Sequence, residues 1–260
     1  MEFTAFDDKC IALIENPVRA SGCRGRHSLR CAVHHLRKGW ALREIDKEMA
    51  AFRAITAEEE AATGLMHALK FRSYIGADML DPKSHVHKSA VVPFLDILSR
   101  FFKAVVAEQG IRPRLHMDNV SGAARLRVVL PLTDAAGQEQ WGCPEPPLNF
   151  SVSSEGKPLS YREQIDAFLT DQSAKDMLTF VREQANHRNL ILYAAPDGVP
   201  RIEKLPEQFF TVRKRRVIAL LCGYLLIEPY AERQLFVQDA LTAFLSILKR
   251  VDTDLLHPTV

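Results

Sequence analysis

The chain has 260 residues, 47% of them hydrophobic and 25% charged, with a net charge of +2. This is ordinary globular composition, enough for one large domain or two small ones, and it excludes global disorder and recruitment to nucleic acid by bulk charge. The longest apolar run, residues 217–227, falls well short of the roughly 20 residues that a bilayer span needs. Asp7 and Asp8 interrupt any apolar leader, and five cysteines without paired spacing do not look like a disulfide framework. The expectation is a cytoplasmic protein without membrane association.

In chain order, residues 1–27 read as an irregular N-terminal arm broken by Pro17 and Gly22, with a short apolar run at 11–14. Residues 28–36 are helix-compatible, and Gly39 marks a bend. Leu42, Ile45, Met49, Phe52 and Ile55 then fall at three- and four-residue steps, and the stripe continues through Ala62, Leu65, Met66 and Leu69. Thr56 with Glu59 matches a capping box that would start a new helix; the unbroken periodicity fits one long helix equally well. Gly76 and Asp81-Pro82 mark a turn. A helix follows over 87–108, with Val91, Phe94, Leu95, Leu98, Phe102 and Val105 on its face and Pro93 near its first turns.

Residues 111–156 change character. The stretch 125–130 is β-prone, 148–152 alternates apolar and polar, and a proline- and glycine-rich connection lies between them. Helix returns from about Ser160, with Ile165, Phe168, Leu169, Met177, Leu178 and Val181 facing inward. Two more helices are expected, over about 206–227 and 231–251, separated by Pro229. The expected fold is mainly α: a helical bundle formed by 28–110 and 157–260, holding a small antiparallel β-rich insertion at 111–156.

The densest polar cluster is Arg182-Glu183-Gln184-Ala185-Asn186-His187-Arg188-Asn189, inside a helix. Arg182, Asn186 and Asn189 stack on one stripe, Glu183 and His187 on the next. Arg188 is the exception on an apolar stripe of Leu178, Val181, Ala185 and Leu192, so its guanidinium needs a carboxylate or phosphate partner, or a route to water. Histidine, with an ordinary pKa of about 6.5, can take a proton from a 2′-hydroxyl or return one to a leaving oxygen. An arginine can neutralise charge on a phosphorane. These are the parts of a metal-free ribonuclease.

Arg182, the polar Glu183 and His187 on a late helix resemble the motif of the HEPN superfamily of helical-bundle proteins, which includes toxin and phage-defence ribonucleases. Two further segments look similar to AbiV-type members: Ala57-Glu58-Glu59-Glu60-Ala61-Ala62 in an early long helix, and His85-Val86-His87-Lys88 opening the next. The resemblance spans roughly residues 40–110 and 160–250. It implies a metal-independent endoribonuclease leaving a 2′,3′-cyclic phosphate, with no cofactor. The acid–base residue would be His187, and Arg182 would stabilise the phosphorane, with Asn186 and Arg188 assisting. It also implies a homodimer with the site at its interface, RNA as substrate, and an antitoxin or regulatory protein as a possible partner.

Other constellations carry less. Residues 16–43 contain no acid but seven arginines and lysines and three histidines, which read either as a phosphate-contacting surface or as a solvated basic arm. Arg30 and His35 repeat the arginine–histidine spacing on an early helix. Cys23, His27, Cys31 and His34 offer zinc-type ligands at a spacing that matches no common zinc module, so no metal is assigned. Arg213-Lys214-Arg215-Arg216 reads as a solvated helical turn or, with Asn186, Arg188 and Asn189, as part of an RNA-binding surface of Arg213, Arg215 and Arg216. Phosphate-loop, Gly-x-Ser-x-Gly and His-Glu-x-x-His signatures are all missing from the sequence. The alternative to catalysis is a non-catalytic helical module that binds RNA, a nucleotide or a protein.

Overall fold

The computed structural model describes residues 1–16, 22–103, 113–120, 123–133, 137–149, 152–154, 157–159, 161–168, 171–192, 198 and 202–256. The N-terminal stretch is not irregular: α1 spans Ala5–Glu15. Thr4 and Asp7 form a reciprocal capping box, each side chain accepting from the other's backbone N–H at 3.1 and 2.9 Å. The apolar run at 11–14 is part of this helix's buried face, together with Cys10. Lys214 reaches Asp7 at 3.4 Å and holds α1 against a late helix.

Helix α2 spans Gly25–Leu42 and α3 spans Lys47–Phe71. They run antiparallel and pack almost backbone to backbone. A Cβ on Gly64 would meet Leu29 Cγ at 2.7 Å, one on Gly39 would meet the Ala50 carbonyl at 3.0 Å, and one on Gly25 would run into the Gly64 carbonyl. The same register sets Ala32 opposite Ala57, both fully buried. Small residues therefore recur every seven positions on both helices, which permits this close approach. Asp46 caps α3 by accepting from Met49 N–H at 2.8 Å. The expected continuous stripe fails here, because Ile45 and Met49 flank a turn and are 81% and 37% exposed. Thr56 starts no new helix; its hydroxyl donates to the Phe52 carbonyl inside an unbroken α3.

Helix α4 spans His85–Phe101 and is capped by Ser84. It begins two residues before the expected start, so Pro93 lies in its interior. Helices α5 (Tyr161–Phe168) and α6 (Asp171–Leu192) divide the segment read as one helix. Helix α7 spans Glu207–Ile227 and α8 Leu235–Leu256. Gln234 at their junction is fully buried. It donates to the Leu226 carbonyl at 2.7 Å and accepts from Leu148 N–H at 2.6 Å.

Between α4 and α5, β1 (Arg114–Val120), β2 (Ala123–Thr133) and β3 (Glu139–Gly142) form an antiparallel sheet, and β4 (Val152–Ser154) pairs antiparallel with β5 (Lys157–Leu159). Leu126 and Val128 alternate inward along β2. Of the strand expected over 148–152, Val152 opens β4, Leu148 lies in a turn that Asn149 follows, and residues 150–151 lie outside the described residues. The protein is thus a mainly α bundle with a small antiparallel β insertion. Helices α1 to α8 and β2 all contribute to the main apolar core, with α3, α4, α7 and α8 meeting in one part of it. A wholly apolar cavity of about 150 Å³ lies among them, lined by residues such as Leu69, Phe94 and Phe244. Lacking any polar side chain, it holds no chemistry. No described helix is long and apolar enough to cross a membrane.

Candidate functional site

Helix α3 presents two adjacent carboxylates, Glu58 and Glu59, in different directions. An alanine stripe (Ala50, Ala54, Ala57, Ala61) brings neighbouring helices close to this part of α3. Glu59 faces α4 and α6. Its Oε2 lies 2.9 Å from His85 Nδ1 and 3.2 Å from Lys88 Nζ. Arg188 of α6 closes the cluster, with Nη1 2.9 Å from His85 Nδ1 and also in reach of Nε2. Because Nη1 is close to both ring nitrogens at once, the guanidinium lies against the imidazole ring, while Nδ1 also faces the Glu59 carboxylate. The Arg188 guanidinium also lies 6.0 Å from the Phe52 ring centroid.

Glu59, His85 and Arg188 line a cleft of about 140 Å³, completed by Val86, Ser89, Val181 and Gln184. Local folding explains the placement. Ser84 caps α4 by accepting from His87 N–H, while His87 Nδ1 accepts from Asp81 N–H at 3.0 Å. His87 is therefore committed to the turn, and His85 opens the helix toward α3. On α6, Met177 and Val181 are buried and anchor the face that carries Arg188.

Glu58 points to α7. Its Oε1 accepts from Arg216 Nη1 at 3.2 Å, and buried Arg213 lies close enough to stabilise its charge. Burial raises the Glu58 carboxyl above its ordinary range, offset by the Arg213 and Arg216 charges. Burial likewise lowers the Arg213 guanidinium, countered by Glu58. Arg213 also lies 3.5 Å from the Phe209 ring centroid, and Arg216 5.3 Å from that of Phe180.

The residues singled out from sequence are thus distributed as follows. Arg188 sits in the cleft, partly buried. Arg182 and Glu183 are exposed on another side of α6; six residues separate Arg182 from Arg188, about 240° around a helix. Asn186, His187 and Asn189 belong to α6, but their side chains lie outside the described residues. Of the basic run, Arg213 is buried inside the bundle, where its partners are Glu58 and Phe209 and not a phosphate. Arg215 is exposed and Arg216 is paired with Glu58. Cys23 is buried and shares no face with exposed His27 and His34. Among the described residues, no group of three His, Cys, Asp or Glu is placed to hold a metal ion.

Sequence reasoning missed the Glu58–Arg213–Arg216 cluster. Its signal was an acid on an alanine stripe, which only a partner of opposite charge makes tolerable in a close-packed helix. It also missed His85 and Lys88 as partners of Glu59, although both segments had been marked. The cleft combines a guanidinium, a carboxylate and an imidazole, with buried Lys88 behind the carboxylate, a set that can hold an anion and move a proton. No family model, curated protein or solved structure matches this chain.

Proposed function

We propose that this chain is a HEPN-like helical protein acting as a metal-independent endoribonuclease of toxin or phage-defence type, built around the polar face of α6. One observation carries the reading. Two of the segments on which the resemblance rests, 57–62 and 85–88, are far apart in sequence yet meet at one cleft through Glu59 and His85, where Arg188, the residue after His187, joins them. In this reading His187 is the acid–base residue and Arg182 stabilises the phosphorane. Arg188, oriented by His85 and Glu59, positions a phosphate, with Asn186 assisting. A homodimer would bring Arg182 of one protomer toward the site of the other.

A second reading has its own support. Arg182 and Glu183 are exposed on a side of α6 away from the cleft. A non-catalytic module that binds RNA or a protein through the outer face of α6 needs nothing more.

The test compares wild type with His187→Ala on mixed RNA in EDTA, with end-group analysis of the products. Cleavage to 2′,3′-cyclic phosphate ends that falls by about 10²-fold or more in the variant supports the nuclease reading. RNA left intact by both proteins favours the binding module. Equal cleavage by both removes His187 from the mechanism.

A further inference from the structure

A second charged surface lies on α2, away from the cleft. His27, Arg30, His34 and Arg37 are exposed and follow one another at three- and four-residue steps, and exposed Lys38 lies four residues after His34, so they form one stripe. The 18-residue helix contains no acid. Exposed helices ordinarily alternate charge, because like charges one turn apart repel. Here the repulsion is left largely uncompensated. Arg24 and Arg26 add to it at the helix N-terminus, where the backbone dipole disfavours cations. Arg26 is accounted for, since it donates to the Leu13 and Asn16 carbonyls that end α1.

The acids near the stripe are few. Glu15 of α1 pairs with Arg37 at 3.2 Å, with both side chains about half exposed, and Glu60 of α3 lies near Cys31. Arg30 and Lys38 have no carboxylate partner among the described residues. Between α1 and α2 lies an open concavity of about 520 Å³ lined by Glu15, Arg30, Cys31, His34 and Arg37. Arg30 and Arg37 stand two helical turns apart along its edge, about 10 Å. Arg37 is also steadied by the Phe3 ring, 5.7 Å from its guanidinium carbon.

We infer that this face of α2 is a docking surface for the sugar-phosphate backbone of single-stranded RNA. Arg30, Arg37 and Lys38 would contact successive phosphates, and the concavity would receive one nucleotide. The inference rests on the RNA reading above for the identity of the polymer. The stripe itself dictates phosphate chemistry: fixed cations, forked donors on two arginines, and no apolar platform that would favour a lipid surface.

The experiment measures fluorescence anisotropy of a labelled 20-nucleotide 2′-O-methyl RNA as salt is varied. This RNA lacks the attacking hydroxyl, so binding is read apart from cleavage. Three phosphate contacts predict a slope of log affinity against log salt near −2, at about −0.7 per contact. Arg30→Gln with Arg37→Gln should weaken binding about tenfold at low salt and flatten the slope by about 1.4. Arg30→Lys with Arg37→Lys should retain most of the slope, which separates charge from folding. Inorganic phosphate at constant ionic strength should leave the RNA bound. An unchanged slope in the glutamine variant, displacement by phosphate alone, or binding to phosphatidylserine vesicles in place of RNA each overturns the inference. Cleavage lost in His187→Ala alongside an unchanged slope in the glutamine variant would sink this surface and leave the nuclease reading intact. A flattened slope without any cleavage would do the reverse.

Discussion

Glu58 and Glu59 are consecutive residues of one helix, and their surroundings have little in common. Glu58 is buried against α7 among arginines, whereas Glu59 borders a cleft that water enters and meets a histidine, a lysine and, through the histidine, an arginine. A step of about 100° around α3 separates a carboxylate that secures the bundle from one that a ligand can reach. Acidity in sequence is the same for both; the packing partner decides what each does.

The largest expected effect tests the buried member. Glu58→Ala leaves Arg213 buried without its counter-charge and should cost about 3–5 kcal/mol of stability. Chemical denaturation measures it, and a loss below about 1 kcal/mol would mean that Arg213 escapes to water. Glu58→Gln keeps an acceptor and should cost less.

The sign of the pH dependence sharpens the contrast. Burial raises the Glu58 carboxyl above its ordinary 4.5, so upward from that pH the folded state holds a proton that the unfolded chain has released. The stability contributed by Glu58 is therefore fullest below 4.5 and declines as pH rises through the folded value. The stability of wild type relative to Glu58→Gln should shrink over that window. A flat or rising difference would show that the two arginines outweigh burial.

Glu59→Gln is expected to have the smallest effect on stability, about 1–2 kcal/mol: half-exposed His85 keeps its water and the amide oxygen still accepts, but buried Lys88 loses its counter-charge. If the nuclease proposal holds, its consequence appears in RNA cleavage, since His85 loses the carboxylate that orients it. A stability loss comparable to that of Glu58→Ala would erase the distinction between the two residues.

Much of the bundle was legible in the sequence because its signals are local. The periodicity of α4, the proline before α7 and the β-prone stretch within β2 all rest on short-range chemistry. Errors arose where a local signal was passed over. Thr4 and Asp7 spell the cap of α1, and Asp46 spells the cap of α3, which detaches Ile45 and Met49 from the inward stripe. The site was legible in pieces only. Arg188 on an apolar stripe demanded a partner, and the structure supplies His85 and, beyond it, Glu59. Periodicity cannot pair residues that topology alone brings together, so the Arg213–Glu58 contact had no sequence signature beyond an acid among alanines.

The close α2–α3 seam also divides the molecule by chain distance. That hairpin closes through a turn of a few residues, and its glycine contacts follow from a single register. The cleft joins Arg188 to His85 across 103 positions, and the buried pair joins Arg216 to Glu58 across 158. Loop-closure entropy grows with the length of chain enclosed. The seam is therefore inexpensive to form at the level of the chain, while both charged clusters depend on the β insertion and α5 being traversed first. Changes in the length of the insertion leave the hairpin and the Glu59–His85 contact untouched and act on what spans it: the core shared with the later helices, Arg188 in the cleft and the Arg216–Glu58 pair.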